Sequence, residues 1–248
     1  EHQVTRYRLD PSVVDLIAFC TKNPAPMLPH MTLLAPFGQF WYVTITPYGR
    51  DFEPYVPPWQ EVARAFRRLS EMVGRQCIGW RYDPIILDEQ HTMDWHRQQF
   101  SMMAEMLAGA TEMVVISFLM RYAKTRRNFP EGRDVTYAER LELGAYIVET
   151  AKTYGMTAYP CGDGDALAAF GADTGGCMTP RVYERSLGRR MRFPKYQRQR
   201  KECDCYLGAD IGAYDSCPHL CRYCYANTHF IRVQKNRRRH DPASPFLI

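Results

Sequence analysis

The stretch FWYVTITPYG, at positions 40–49, is the clearest β-strand in the chain and decides the fold class. It combines aromatic and β-branched residues and ends at a Pro/Gly turn, a pattern typical of a strand. Apolar residues then recur at helical spacing over 62–73, and Gly74 follows where a helix cap is expected. The next apolar run, IGWRYDPIIL at 78–87, predicts a strand broken at its Asp-Pro step. Together they form a strand-helix-strand unit.

This alternation continues along the chain, since six strands are predicted in all, at 16–21, 40–49, 78–87, 113–119, 156–161 and 209–214. Further helices are predicted around 100–107, from the capping box at Thr136 to about residue 154, and from Thr179-Pro180 to Gly188. The alternation predicts an α/β fold with a mostly parallel sheet. A partial or closed βα (TIM-like) barrel is the preferred architecture, and an open doubly wound sheet is the alternative. We expect one domain over 1–248, with 200–248 as a cysteine-rich cluster-binding segment.

Composition is that of a globular protein, with 46% hydrophobic residues. No apolar run is long enough to span a membrane, and the first residues lack a signal-peptide pattern, so we expect a soluble cytoplasmic protein with no membrane partner. Nine cysteines is a high count for such a protein. In a reducing compartment, clustered cysteines are more often metal ligands or catalytic groups than disulfides.

The net charge of +5 is unevenly distributed. Residues 1–180 carry 17 Lys or Arg against 21 Asp or Glu, a net −4, whereas residues 181–248 carry 15 against 6, a net +9. The excess lies in 181–201 and 232–239, on either side of the densest cysteine cluster. Such a surface can attract phosphate groups or nucleic acid, although a solvated basic face with no specific partner fits equally well.

Three cysteines, Cys217, Cys221 and Cys224, fall within CPHLCRYCYAN at 217–227. Three thiolates on one short loop can hold three irons of a 4Fe–4S cluster and leave the fourth iron open to a small molecule. A zinc site that pairs Cys221 and Cys224 with a second cysteine pair is the alternative. A polar loop is an improbable place for inert thiols, which favour apolar surroundings. Spacing and context favour the open cluster.

The C-x-x-x-C-x-x-C spacing resembles the motif of the radical S-adenosylmethionine enzymes. The resemblance implies a 4Fe–4S cluster that binds and reductively cleaves S-adenosylmethionine, giving a 5′-deoxyadenosyl radical that abstracts hydrogen from a substrate. It also implies that Tyr223 lies beside the adenine of the cofactor, and that the electron donor is a flavodoxin or ferredoxin.

Nearly the whole chain also resembles the family catalogued as domain of unknown function 1848, whose C-terminal cysteines have been likened to that radical motif. The matching segments are 21–28, 44–49, 80–85, 124–128, 203–205, 210–214, 217–227 and 240–245. Several features depart from these patterns. Family members begin with a further strand segment, Cys20 replaces an aromatic residue, and no Gly-Gly-Glu motif is present. The cysteine loop also follows the last predicted strand, as in a circular permutation of the usual radical-enzyme order.

A second set of four cysteines, Cys161, Cys177, Cys203 and Cys205, can form another zinc or iron–sulfur site. The alternative is four unrelated reduced thiols. Cys20 and Cys77 adjoin apolar strands and are expected to be small core residues.

Polar residues at the predicted strand ends are candidates for cofactor binding, because the carboxyl ends of parallel strands gather reactive groups. The candidates are Lys22, Asn23, Arg81 and Asp83. An Arg81–Asp83 pair can bind a carboxylate or a ribose, or serve as a structural ion pair. His91 and His96 are expected to be surface or capping residues.

The leading hypothesis is a radical S-adenosylmethionine enzyme whose substrate, which the sequence does not identify, could bear phosphate or be a nucleic acid. Its rival is a non-catalytic nucleic-acid-binding module, stabilised by zinc or an iron–sulfur cluster, that uses the basic C-terminal third.

Overall fold

A computed structural model describes residues 6–193, 205–206 and 209–246. Its centre is a five-stranded parallel sheet in which chain neighbours are also sheet neighbours. The strands are β1 (Leu16–Thr21), β2 (Gly38–Thr44), β3 (Ile78–Ile85), β4 (Met113–Phe118) and β5 (Thr157–Pro160). The predicted α/β class with a parallel sheet is confirmed.

Helices connect the strands and follow the last one. They are α1 (Met31–Leu34), α2 (Trp59–Val73), α3 (Met93–Leu107), α4 (Ala123–Asn128), α5 (Tyr137–Thr153), α6 (Pro180–Leu187) and α7 (Phe230–Arg239), with short 3-10 turns at Ala25–His30, Arg75–Cys77 and Ala168–Phe170. The capping box that begins α5 is confirmed, because the Thr136 side chain accepts from the Glu139 amide and Glu139 accepts from the Thr136 amide. Helix α6 starts at the predicted Thr179-Pro180 and ends at Gly188, whose φ is 64°.

Both faces of the sheet are covered, which is why all six residues of β4 are buried. On one face, Trp80 and Tyr82 belong to the main core, which includes apolar residues of α2, α3 and α5. On the other face, Tyr42 and Val115 pack with Tyr183 of α6 and with three cysteines. Burying an apolar side chain of Leu or Phe size contributes about 1.5–3 kcal/mol, so these two clusters supply most of the driving force for this layered arrangement.

Two predictions about strands are wrong. Residues 209–214 do not form a strand: Ile211 and Tyr214 are exposed, and the Asp210 side chain accepts a hydrogen bond from the Gly212 amide at 2.8 Å. A segment that buries so little and closes a local turn has nothing to hold it in a sheet. Strand β3 is not broken, because it continues to Ile85 with a register shift after Tyr82.

Strands β1 and β5 are the two edges of the sheet. Each strand lies next to the one before it in the chain, so the sheet lacks the reversal of strand order that is found in a doubly wound sheet. Among the residues that the structure describes, no helix is long and apolar enough to cross a membrane.

Candidate functional site

The cysteine loop, residues 217–227, lies at the carboxyl edge of the sheet. Backbone hydrogen bonds join it to the segment after β2: the Arg222 amide donates to the Phe52 carbonyl at 3.0 Å, and the Tyr55 amide donates to the His219 carbonyl at 3.3 Å. From α4, which follows β4, the Thr125 hydroxyl donates to the Tyr223 carbonyl at 3.3 Å. The loop is therefore attached to the edge where parallel α/β folds bind ligands.

A buried carboxylate, Glu53, forms the centre of this attachment. Its side chain is 2% exposed and accepts hydrogen bonds from Lys22 Nζ at 2.9 Å, from Thr46 Oγ1 at 2.6 Å and from the hydroxyl of Tyr223. Lys22 also donates to Thr46 at 2.8 Å and lies 5.7 Å from the centre of the Tyr223 ring. One buried ion pair thus connects the ends of β1 and β2 to the cysteine loop.

Sequence reasoning identified Lys22 and Tyr223 but missed Glu53. Glu53 follows the predicted strand 40–49, in the stretch TPYGRDFEP (46–54), and belongs to none of the motifs. Its flanking Phe52 and Pro54 were the available signal, because a carboxylate in an apolar segment close to a strand end needs a partner if it is buried.

Burial raises the pKa values of several groups in the site. It raises the pKa of Cys221 to about 12, although Lys22 acts in the opposite direction. Burial also raises the pKa of Tyr223 well above the ordinary value, with Glu53 adding to the effect. Without a cation the Cys221 thiol is therefore protonated, and binding a metal would release its proton.

The backbone of the loop is held in an unusual shape. Asp215 and Leu220 have φ values of 56° and 55°, the left-handed region that non-glycine residues seldom adopt. The Asp215 carboxylate accepts from Thr228 Oγ1 at 2.7 Å, and its carbonyl accepts from Asn236 Nδ2 of α7 at 3.0 Å. Surrounding contacts hold this conformation in place, as is typical of functional loops.

The three loop thiols differ in their exposure to solvent. Cys217 is exposed and Cys221 and Cys224 are half-buried, so an open face is available. The Ala226 amide donates to Cys224 Sγ at 3.4 Å, the kind of bond that tunes iron–sulfur sites. Within 6–193, 205–206 and 209–246, no three His, Cys, Asp or Glu side chains converge as the ligands of one ion do.

The other predicted cofactor-binding residues lie in two different settings. Asn23 closes a turn after β1, where its Oδ1 accepts from the Ala25 amide at 3.1 Å. Arg81 donates to Asp83 in a short ion pair, on the face of β3 opposite the core residues Trp80 and Tyr82. The Arg81 guanidinium also interacts electrostatically with the thiols of Cys161 and Cys177. Neither Arg81 nor Asp83 forms a hydrogen bond or ion pair with Tyr223 or Glu53.

Three cysteines of the second set come together although they are far apart in sequence. Cys177 and Cys205 have sulfur atoms 3.4 Å apart, and the neighbouring Cys177 thiol lowers the pKa of Cys161. All three are at most 8% exposed, in the cluster that contains Tyr42 and Tyr183. Cys203 lies outside the described residues, and a metal at this second set stays a prediction.

Four other cysteines and histidines had a predicted location, and one of them lies where it was predicted. Cys77 is buried as predicted, and its sulfur contacts the Ser186 carbonyl at 3.3 Å. Cys20 is exposed, so its assignment to the core is wrong. Phe19 packs against the main core, so the alternation of side chains along β1 places Cys20 on the opposite face of the sheet. The surface assignment of His91 and His96 is also wrong, since they are 9% and 0% exposed.

A family model described as "Domain of unknown function (DUF1848)" matches residues 1–226. The chain belongs to this family. The match includes the whole sheet and all three loop cysteines, and it ends before α7. A comparison with curated proteins found no match.

Proposed function

We propose that this DUF1848 member is a radical S-adenosylmethionine enzyme that holds a 4Fe–4S cluster through Cys217, Cys221 and Cys224. The observation that carries the proposal is the anchoring of a C-x-x-x-C-x-x-C loop at the carboxyl edge of a parallel sheet, through Tyr223 and the buried Glu53. An adventitious cysteine cluster needs no such attachment. When bound, a cluster of this kind supplies the electron that cleaves S-adenosylmethionine to a hydrogen-abstracting radical.

A partial βα barrel is the architecture we propose for this enzyme. In support, strand order follows chain order without a reversal, and α2, α3 and α5 pack on the same face of the sheet. The opposite face carries Arg81, Asp83 and Cys20, polar or reactive groups that a barrel interior would enclose.

Some residues of this site would hold the cluster, and others shape the space beside it. The three thiolates would ligate iron, and the Ala226 amide would stabilise the Cys224 thiolate. Tyr223 offers a ring face fixed by its bond to Glu53 and by the nearby Tyr48 ring, 6.3 Å away. Lys22 places positive charge near Cys221, which favours the ionised form of that thiol. We expect the cofactor to lie against this group.

The first experiment is anaerobic reconstitution with iron and sulfide, followed by electron paramagnetic resonance of the reduced protein with and without S-adenosylmethionine. We expect a 4Fe–4S signal that shifts when the cofactor is added and disappears in Cys221→Ala. Cys77→Ala is the matched control, because it removes a buried thiol far from the loop in sequence and should keep the signal. Release of 5′-deoxyadenosine would then be measured. A protein that binds stoichiometric zinc and gives no signal would contradict the proposal.

Helix α7 favours a second candidate, nucleic-acid binding. Five of its ten residues are basic and exposed, while Val233 anchors the opposite side. Such a helix can neutralise phosphates in a salt-dependent way. Fluorescence anisotropy with a single-stranded RNA at 50 and 200 mM salt tests it, comparing the natural chain with a variant in which Arg237, Arg238 and Arg239 are Gln. Salt-sensitive binding that the variant loses, together with no cleavage of S-adenosylmethionine, would favour the binding module. Binding together with cleavage would point to a nucleic-acid substrate.

The same basic helix is where we expect an electron donor to dock, because flavodoxins and ferredoxins are acidic. A donor and a phosphate-bearing substrate would compete for α7, so the Arg237–Arg239 variant should also slow reduction of the cluster by a flavodoxin.

A further inference from the structure

Two buried cysteines on the second face of the sheet lie close together, although 28 positions separate them in the chain. Cys177 precedes α6, Cys205 belongs to the short segment 205–206, and their sulfur atoms are 3.4 Å apart. A disulfide bond is about 2.05 Å long, so the two sulfur atoms need to approach each other by only about 1.4 Å to become bonded.

Backbone contacts hold the two cysteines beside each other. The Tyr206 amide donates to the Met178 carbonyl at 2.5 Å, and these are the residues that follow the two cysteines in the chain. The Tyr42 hydroxyl donates to the Cys177 carbonyl at 2.6 Å, so a strand of the sheet fixes one side of the pair. The two segments are therefore adjacent where the cysteines lie, as a disulfide requires.

The number of converging side chains favours a disulfide over a metal at this pair. A structural metal site usually has four protein ligands. In the part of the chain that the structure describes, no group of three His, Cys, Asp or Glu side chains is arranged to hold one ion. A disulfide needs only two sulfur atoms, and two are in place.

Burial limits which oxidant can reach the pair. Cys177 is 2% exposed and Cys205 is 6% exposed, within the cluster that contains Tyr42 and Tyr183. A large disulfide such as oxidised glutathione reacts by forming a mixed disulfide, for which this packed cluster leaves little room. Hydrogen peroxide is far smaller and leaves only one oxygen on sulfur, so it suits a buried thiol better.

We propose that Cys177 and Cys205 form a reversible disulfide when hydrogen peroxide reaches them. The sulfur of Cys205, the more exposed of the two, accepts one peroxide oxygen and becomes a sulfenic acid, and a first water leaves. The sulfur of Cys177 then attacks that sulfur, and the sulfenic hydroxyl leaves with the Cys177 proton as a second water. Two thiols and one peroxide thus give one disulfide and two waters. The reaction does not depend on the proposed function of the cysteine loop.

Peptide mapping of the full chain tests the proposal. The protein is purified with a chelator, treated with hydrogen peroxide, alkylated in urea and digested with trypsin, which places Cys177 in peptide 153–181 and Cys205 in peptide 202–222. We expect these two peptides to be linked, with fragmentation placing the bond at the two cysteines, and dithiothreitol to separate them. The proposal is wrong if Cys177 stays reduced, if it pairs with another cysteine, or if a metal that survives chelation protects it.

A second oxidant tests the argument from burial. Oxidised glutathione, supplied at the same concentration, should link the two peptides about tenfold more slowly than hydrogen peroxide, because access limits its attack. Equal rates would show that the pair is open to large disulfides and would contradict the assignment of a small peroxide as the oxidant.

Variants make the assignment specific. Cys205→Ser and Cys177→Ser should each abolish the linked peptides, whereas Cys161→Ser, which changes a thiol of the same buried cluster, should keep them. Cys77 is an internal control, because it is 8% exposed and its sulfur contacts the Ser186 carbonyl, so it should remain unlinked. A link to peptide 153–181 that survives in Cys205→Ser, or one that involves Cys77, would contradict the proposal.

Discussion

The two groups of cysteines in this chain differ in their spacing along the sequence, in their exposure to solvent and in what surrounds them. Cys217, Cys221 and Cys224 lie within eight residues of sequence, in a polar loop that remains accessible. The inner thiols, Cys161, Cys177 and Cys205, come from separate segments and are buried between the sheet and α6.

The two groups of cysteines are held in position by different features of the structure. The loop thiols are positioned by local backbone shape and by a few anchoring contacts, so their arrangement depends on Glu53 and Tyr223 and little on the core. The inner thiols are positioned by the packing of the whole second face. We therefore expect changes at the loop to affect metal binding and the anchoring network, and changes at the inner set to affect the free energy of unfolding.

The largest effect is expected for Glu53→Leu, which leaves Lys22 buried without its anion. Removing one partner of a buried ion pair typically costs about 3–5 kcal/mol. Urea unfolding monitored by circular dichroism measures this cost. Iodoacetamide labelling in the native state should meanwhile become faster at Cys221 and stay slow at Cys177, because the loop is released and the inner cluster is not.

A matched carboxylate outside the network serves as the control for Glu53. Glu131 pairs with Arg222 of the same loop, but it is about half exposed. Glu131→Gln should cost about 0.5 kcal/mol or less. If Glu53→Leu were equally mild, the buried network would not be what attaches the loop.

The pH dependence of the free energy of unfolding tests a second buried group, the side chain of His96. Its Nε2 donates to the Ile86 carbonyl at 2.8 Å, so its Nδ1 accepts from the Tyr82 hydroxyl at 2.7 Å. Burial lowers the pKa of His96 to about 4. The unfolded chain then binds more protons between about pH 6.5 and 4, so stability falls as pH decreases through that window, by up to about 3 kcal/mol.

His96→Gln removes the titrating group and should flatten this part of the stability profile, whatever its cost at neutral pH. His229, which is exposed, is the control, and His229→Gln should leave the slope unchanged. A slope that survives in His96→Gln would assign the acid sensitivity to other groups.

Much of the fold could be predicted because local signals and tertiary structure agree. The strand at 16–21 and the helix caps at Thr136, Thr179 and Gly188 are where the pattern placed them. The run 209–214 failed for the opposite reason. Its alternation is weak, its Ile211 and Tyr214 side chains stay exposed, and a local turn at Asp210 replaces pairing with the sheet.

Residues of the candidate site could be predicted only where their spacing, or their position at the end of a strand, indicates a chemical role. The cysteine loop and Tyr223 were identified from their spacing, and Lys22 from its position at a strand end. Glu53 was missed because its apolar neighbours Phe52 and Pro54 are a weak signal, and the role of a lone carboxylate depends on which groups surround it after folding. His96 was misassigned for the same reason, since a helix start is exposed only if nothing packs on it.

A smaller effect separates the two thiol groups directly. In metal-free protein, Cys177→Ala should lower the free energy of unfolding by about 1–2 kcal/mol, because it leaves a void in a packed cluster. Cys224→Ala should cost about 0.5 kcal/mol or less, since the side chain is half-exposed. After reconstitution, Cys224→Ala should lose iron, and a similar loss in Cys177→Ala would indicate a metal at the second set. Equal stability losses in the metal-free protein would remove the distinction between a packing set and a ligand set.

The smallest effect concerns the solvent side of the cysteine loop. Arg222 pairs with Glu131 and lies 5.3 Å from the centre of the Phe129 ring, but its side chain is 40% exposed. Water and salt screen such contacts, so Arg222→Gln should cost about 0.5 kcal/mol or less, in contrast with Glu53→Leu on the buried side. A double-mutant cycle with Glu131→Gln, measured by urea unfolding at low and high salt, isolates the pair. A coupling that persists at high salt and exceeds about 1 kcal/mol would mean that both sides of the loop anchor it.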